Sequence, residues 1–251
     1  MNFLEEAKRI VAEAEKRGVT LRVMGAVAVA IHSPKYSSLF KSLKRELTDL
    51  DFMALKKQKN AVFNVLKDLG YAMDRSSQYI MTISQRYILY NPQGLHVDIF
   101  FDKLDMCHTI EFTDRLNVDF PTIPLAELLL EKTQIVRINE KDVKDCLILI
   151  REHEITDDDK GVNARYISKL LAEDWGFYYT VTTNLKRIRD LAEKYPALKT
   201  SDVEDVRQKI DRLLTTIESE PKTVKWKIRA KIGPKQKWYK EVEEVYEKEH
   251  V

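Results

Sequence analysis

The sequence of 251 residues is poor in the residues that build disulfide frameworks, zinc sites and phosphate loops. It has two cysteines, Cys107 and Cys146, and they lack the CxxC spacing of zinc sites, so we expect a reducing, cytoplasmic location. Its seven glycines form no Walker-type phosphate loop. No apolar run approaches the roughly 20 residues of a membrane-spanning helix. The first residues also lack the apolar stretch of a secretory signal, so we expect no membrane partner.

The rest of the composition is typical of a globular protein. Hydrophobic residues make up 44% of the chain and charged residues 33%, which argues against disorder. The character of the chain changes near residue 120, from alternating helices and strands to helices alone. We therefore predict an α+β fold with two domains: residues 1–120 form a small mixed sheet flanked by helices, and residues 121–251 form an all-helical C-terminal domain.

The spacing of apolar residues predicts the individual elements. Helices are expected over residues 3–17, 26–31, 60–69, 125–135, 140–152, 164–173, 185–195, 202–217 and 242–249, with Ser201 as an N-cap. Strands are expected over residues 21–24, 47–55, 80–90 and 95–101, and the last two are joined by a turn at 91–94. Residues 33–44 are predicted to form a loop.

Two aspartates, Asp49 and Asp51, stand two residues apart in a predicted strand. The side-chain period of a strand places both carboxylates on one face and Leu50 on the other. Two like charges side by side repel each other unless a positive charge lies between them. A divalent cation meets this need, and Mg²⁺ prefers one or two carboxylates together with phosphate oxygens.

A third carboxylate and a glycine turn complete the pattern. Asp98 lies in the strand HVDIF (residues 96–100), on the face opposite the aliphatic side chains. Gly25 ends a buried strand and begins a predicted helix, where the lack of a side chain lets a phosphate approach the backbone. Taken alone, Gly25 is more readily explained as a packing glycine, and Asp-x-Asp occurs by chance in many proteins. The ordered combination is more specific.

The segments VMGA (residues 23–26) and RELTDLDF (residues 45–52) resemble the signature of the DNA polymerase β-type nucleotidyltransferase superfamily. The Arg-x-x-Thr-Asp-x-Asp detail is most similar to its minimal prokaryotic branch, which includes the abortive-infection (AbiEii-type) toxin nucleotidyltransferases. The segments LLLEK (residues 128–132) and KDVKD (residues 141–145) also fit that branch. The resemblance covers residues 21–150.

The resemblance implies a nucleotidyltransferase core over residues 1–120 and a transfer reaction. Asp49 and Asp51 would hold two Mg²⁺ ions (or Mn²⁺), and Asp98 would ligate the ion that activates the attacking hydroxyl. The turn of Gly25 and Ala26 and the amine of Lys132 would hold the triphosphate of an NTP. A nucleoside monophosphate would pass to a hydroxyl acceptor, and pyrophosphate would leave. An antitoxin or operon partner is implied by the same analogy.

One position departs from the family pattern. The superfamily usually has Gly-Gly or Gly-Ser at the turn, and this chain has Gly25-Ala26. Ala26 keeps its backbone N–H but offers no hydroxyl to a phosphate. The alternative function is therefore a catalytically silent module that binds a nucleotide or nucleic acid on the same scaffold.

Several neighbouring side chains have two interpretations each. Thr48 and Arg45 support the site or are ordinary exposed residues. Asp142 and Asp145, three residues apart on one helix, either form salt bridges with core lysines or act in catalysis. His32 and His96 are candidate polar contacts near the site or satisfied structural histidines.

A basic segment lies near the C-terminus. Residues 222–240 contain eight lysines and arginines and no acid, with Trp226, Trp238 and Tyr239 interleaved. Basic and aromatic side chains together suit an RNA such as tRNA, which would then be the acceptor. The alternatives are a solvated tail and a short amphipathic strand, in which Val224, Trp226 and Ile228 share one face.

Overall fold

The computed structural model describes residues 2–73 and 86–242. The predicted strand over residues 80–90 and the predicted helix over residues 242–249 therefore lie partly or largely outside the described residues. Within those residues the fold is a mixed α+β structure, as predicted. None of the described helices has both the length and the apolar character needed to cross a membrane.

A four-stranded mixed sheet forms the centre of the N-terminal half. Its strands are β1 (Leu21–Met24), β2 (Leu50–Ala54), β3 (Arg86–Tyr90) and β4 (His96–Phe101), in the spatial order β1-β2-β4-β3. The central pair β2 and β4 is parallel, and both outer pairs are antiparallel. Apolar side chains such as Phe52 and Ile99 are fully buried, because alternate residues of each strand point into the core.

Helices α1 (Phe3–Lys16), α2 (Gly25–His32), α3 (Ser38–Ser42) and α4 (Lys59–Asp68) belong to the same half. In α1 the side-chain oxygen of Asn2 accepts hydrogen bonds from the first turn, and the buried residues Ala7, Ile10, Val11 and Ala14 follow helical spacing. The helix α3 corrects the prediction of a loop over residues 33–44. A short pair of strands, β5 (Lys103–Asp105) and β6 (Thr109–Glu111), was not predicted.

The C-terminal half is mainly helical. Its helices are α5 (Leu125–Thr133), α6 (Glu140–Glu152), α7 (Ala164–Glu173), α8 (Trp175–Leu191), α9 (Thr200–Ser219) and α10 (Val224–Ile232). A two-residue parallel pair, β7 (Ile155–Thr156) and β8 (Val162–Asn163), interrupts them, so the half is not all-helical as predicted. Ser201 lies inside α9 and does not cap it, since that helix begins one residue earlier.

The two predicted domains share packing around α2. Both α5 and α6 pack against α2, and one buried hydrophobic cluster includes residues from Ala7 in α1 to Ile217 in α9. The boundary near residue 120 stays a prediction. For function, the important consequence is that side chains of α5 and α6 reach the end of the sheet where α2 begins.

Candidate active site

Two of the three predicted carboxylates lie side by side in the sheet. Asp51 on β2 is the direct register partner of Asp98 on β4, and Met24 pairs with Asp51 from the other side. Paired residues of adjacent strands point to the same face, so the carboxylates of Asp51 and Asp98 share a face. The strand β2 begins at Leu50 rather than at residue 47, which places Asp49 just before the strand.

Gly25 lies directly against the Asp51 side chain, while the approach of a phosphate to its backbone, which the sequence suggested, stays a prediction. Its φ angle of +69° is in the left-handed region that favours glycine. A Cβ at this position would lie 3.2 Å from Cγ and 3.3 Å from Cβ of Asp51, and it would overlap with a carboxylate oxygen. The beginning of α2 is therefore held directly against the Asp51 side chain. Ala26 follows in the first turn of α2 and is buried.

A carboxylate that the sequence analysis did not single out also lies at this turn. The backbone N–H of Gly25 donates to Oε2 of Glu131 at 3.2 Å, and the Glu131 side chain is only 10% exposed. Burial raises the pKa of Glu131 to about 7, against the opposing effects of Lys132 and of the Gly25 hydrogen bond. The signal in the sequence that could have identified Glu131 is its position as a charged residue directly after the apolar run of residues 128–130.

The electrostatics of Asp51 follow from this crowding. Burial raises the pKa of Asp51 well above its usual value, and the nearby carboxylates of Asp49, Asp98 and Glu131 raise it further. The charge of Lys132 acts in the opposite direction. A site with this balance favours either a proton or an added cation.

Lys132 is tied into a buried ion-pair network. Its Nζ lies 3.2 Å from Oδ1 of Asp142, 3.2 Å from Oδ2 of Asp145 and 3.8 Å from Oε1 of Glu131. Burial would lower the pKa of Lys132, but these carboxylates raise it well above its usual value. Asp142 and Asp145 thus form salt bridges with a core lysine, which is one of the two roles that the sequence left open for them.

Arg45 joins the same network. It donates to both carboxylate oxygens of Asp145, from Nε at 2.7 Å and from Nη2 at 3.0 Å. Asp145 is fully buried and Arg45 nearly so, so the pair fixes the segment before β2 against α6. Thr48 in that segment is exposed, and its Oγ1 lies 3.2 Å from Oδ1 of Asp49. Phosphate contacts by Thr48, Ala26 and Lys132 stay predictions.

Asp98 has a cationic partner that the sequence analysis missed. Both oxygens of Asp98 accept hydrogen bonds from Arg86 on β3: Nε lies 2.8 Å from Oδ1, and Nη2 forms a close ion pair with Oδ2. The hairpin register could have revealed it, since a turn at 91–94 sets Ile88 opposite Asp98 and leaves Arg86 as the diagonal neighbour on the same face.

The two candidate histidines have different surroundings. His96 lies near Asp98, with Nε2 at 3.6 Å from Oδ1, and its ring stacks on Tyr90. Among the described residues, the buried Nε2 atom of His96 has no hydrogen-bond partner. His32, in contrast, contacts Thr122 through Nε2 at 2.6 Å at the far end of α2. His96 is therefore the histidine that belongs to the candidate site.

The donor set fits a hard divalent cation at Asp49 and Asp51. Both are carboxylates, and they lie beside the start of a helix, whose N–H groups favour the phosphate oxygens that complete a Mg²⁺ site. Over residues 2–73 and 86–242, no group of three or more His, Cys, Asp and Glu side chains is arranged to hold a metal ion.

Residues 224–232 of the basic segment form the helix α10 and not a strand, so the alternative prediction of a short amphipathic strand was wrong. Thr223 caps α10 by accepting a hydrogen bond from the backbone N–H of Trp226. The face of α10 that contacts the rest of the protein carries Trp226, whose ring meets Tyr178 edge-on, and Arg229, which lies over Trp175.

The aromatic side chains of this segment are used for packing. Nε1 of Trp238 donates to Oγ1 of Thr180 at 3.0 Å, and the Trp238 ring contacts Tyr179 edge-on. Lys240 pairs with Asp105 on β5. Lys237 pairs with Glu241, and four other basic side chains are exposed and form no ion pair within the described residues: Lys225, Lys227, Lys231 and Lys235. The segment can therefore present exposed positive charges to a partner, whereas its aromatic rings are engaged in packing and are less available for stacking.

Comparisons with known proteins add no relative. No protein-family model matches the chain, and no curated protein matches it either.

Proposed function

We propose that this protein is a Mg²⁺-dependent nucleotidyltransferase with a polymerase β-like core. It would transfer a nucleoside monophosphate from an NTP to a hydroxyl acceptor and release pyrophosphate. The observation that carries the proposal is the shared face of Asp51 and Asp98 on adjacent parallel strands, with Gly25 against the Asp51 carboxylate. The resemblance of residues 21–150 to the superfamily supports it.

The chemistry assigned to these residues is positioning and charge neutralisation. Bound Mg²⁺ would polarise the phosphates and the attacking hydroxyl, and Asp49 and Asp51 are the residues that would hold it. The start of α2 at Gly25 and Ala26 would accommodate phosphate oxygens through backbone N–H groups, and the N–H of Gly25 would become available when Glu131 releases it. Lys132, within the network beside Asp51, would offset part of the negative charge.

The proposal is tested by label transfer. The protein is incubated with Mg²⁺, total cellular RNA and each NTP labelled at the α-phosphate, beside the variants Asp49→Asn and Asp51→Asn. We expect label in an acceptor with the wild type alone, while circular dichroism shows that both variants stay folded. Full activity in both variants would refute the mechanism.

A second candidate function is favoured by the Arg86–Asp98 pair. Because both oxygens of Asp98 accept from Arg86, a silent module that binds nucleotide or nucleic acid without turnover is consistent with the same site. Ala26 in place of a second glycine or a serine supports this candidate. It predicts that calorimetry detects NTP binding, while no pyrophosphate is released. Mg²⁺-dependent turnover would exclude it.

The acceptor is proposed to be RNA, such as tRNA, bound in the cytoplasm. The exposed amines of Lys225, Lys227, Lys231 and Lys235 support this part of the proposal. Replacing all four by Gln should weaken RNA binding and reduce its salt dependence. An antitoxin or operon partner rests on family analogy alone. Toxicity on expression that disappears in Asp51→Asn would support it.

A further inference from the structure

Arg86 occupies the position from which a cation would contact Asp98. Asp98 is 3% exposed, and both of its oxygens accept hydrogen bonds from the one guanidinium. A bidentate arginine satisfies a carboxylate well. A metal ion must compete with Arg86 for the same oxygens, whereas no such ion pair is formed by Asp49 or Asp51 within the described residues.

The surroundings of Arg86 allow it to leave Asp98. The Arg86 side chain is 30% exposed, so its guanidinium has access to water. It also lies 5.0 Å from the ring centroid of Phe100, its direct partner across the β3–β4 pair. The guanidinium can therefore turn away from Asp98 and keep its cation–π contact with Phe100.

A polar atom beside the pair points to a ligand. Nε2 of His96 is buried, lies 3.6 Å from Oδ1 of Asp98, and has no hydrogen-bond partner among the described residues. Buried polar atoms are normally satisfied, so an unsatisfied one beside a carboxylate suggests that a further group binds there. Imidazole nitrogen and carboxylate oxygen are both donors to divalent transition metals such as Mn²⁺.

We propose that Arg86 is a built-in counter-ion that regulates the second metal position: one divalent cation binds at Asp49 and Asp51, and a second binds at Asp98 and His96 only when Arg86 is displaced. The proposal rests on the proposed function for the first position. It assigns to Arg86 control over how many ions the site holds, and to His96 the role of a further ligand.

The test counts bound Mn²⁺ by electron paramagnetic resonance of the free ion. The variants are Arg86→Gln, the same change combined with Asp98→Asn, and the same change combined with His96→Phe. Arg189→Gln is the matched control, because Arg189 is 32% exposed, pairs with two aspartates and lies in α8. It removes the same charge without touching the site.

We expect the wild type to bind one Mn²⁺ tightly and a second weakly. Arg86→Gln should strengthen the second binding by about tenfold, since a competing unit charge is removed. Both double variants should lose that gain, and Arg189→Gln should show none. An unchanged second affinity in Arg86→Gln, or a gain that survives Asp98→Asn, would overturn the proposal.

Two further outcomes separate this inference from the proposed function. If Arg86→Gln does not fold, Arg86→Lys keeps the charge but loses the bidentate geometry, and it should give a gain of about threefold. An unchanged affinity there also overturns the proposal. If Asp49→Asn and Asp51→Asn leave the first Mn²⁺ in place, the metal site of the proposed function fails. If they abolish it while the Arg86 variants change nothing, only this inference fails.

Discussion

Gly25→Ala tests whether the close contact between the start of α2 and the Asp51 side chain contributes to the free energy of unfolding. Gly25 has a φ of +69°, and an added Cβ would overlap with the Asp51 carboxylate. Gly18 is a matched control, because its φ is +68° and nothing lies within 4 Å of an added Cβ. Both substitutions carry the cost of a left-handed alanine, about 1–2 kcal/mol. Only Gly25→Ala adds a steric overlap, which costs about 1–3 kcal/mol in a packed region.

We therefore expect Gly25→Ala to lower the free energy of unfolding by about 2–5 kcal/mol, and Gly18→Ala by about 1–2 kcal/mol. The assay is urea unfolding of the wild type and both variants, followed by circular dichroism. The slope against urea should be the same in all three proteins, which keeps the comparison valid. If Gly25→Ala lowers the free energy of unfolding no more than Gly18→Ala does, the Asp51 side chain is free to move away from Gly25. The tight contact at the start of α2, on which the proposed phosphate site depends, would then be refuted.

Three other predictions test a buried histidine, the ion-pair network of Lys132 and the packing of residues 222–240. Burial lowers the pKa of His108 to about 4 from 6.5, so the unfolded chain takes up the proton first, and stability should fall by about 2 kcal/mol between pH 7.5 and pH 5. His108→Gln should lack this part of the decline in pH-dependent urea titrations. Asp145→Asn should cost about 3–5 kcal/mol, because it leaves the buried guanidinium of Arg45 without its carboxylate partner and removes one of the three carboxylates around Lys132, whereas Asp142→Asn, at a more exposed carboxylate, should cost less in the same assay. Trp238→Ala should make residues 222–240 more sensitive to limited proteolysis, since it removes the bond to Thr180.

The elements that carry the aspartates were predictable because local and tertiary preferences agree there. Residues 21–24 and 95–101 are short apolar runs bounded by turn residues, and both form strands, with the second beginning at His96. The helix over residues 140–152 matches α6 at both ends, because Asn139 caps it and its apolar residues follow helical spacing.

Other elements needed information that lies outside the local sequence. Helix α8 begins at Trp175, ten residues before its predicted start, in a segment rich in aromatic residues and threonine. Such residues favour strands by propensity, and packing of Trp175 and Phe177 into the interior decides the outcome. In α10 the alternation of lysine with apolar residues is the pattern of a strand, although Thr223 is a preferred residue type at the N-cap of a helix.

The candidate site was predictable in its acids but not in their partners. Asp49, Asp51 and Asp98 stand out because carboxylates are uncommon in apolar strands. Arg86 becomes visible only when the β3–β4 register is known, and Glu131 only when α5 is packed against the start of α2. Both depend on contacts between residues that are distant in sequence, and no local periodicity encodes them.

The balance of charge around Asp51 supports the cation site proposed above. Four carboxylates interact in this region, those of Asp51 and of its neighbours Asp49, Asp98 and Glu131, and two cationic side chains, Arg86 and Lys132, accompany them. Lys132 is shared with two further carboxylates on α6, so only part of its charge acts on Asp51. Burial makes the remaining negative charge costly, and the raised pKa values of Asp51 and Glu131 express that cost. A purely structural cluster would be more stable with amides or apolar groups in place of these acids. Binding of a cation together with a phosphate, as proposed, would offset this cost at the start of α2.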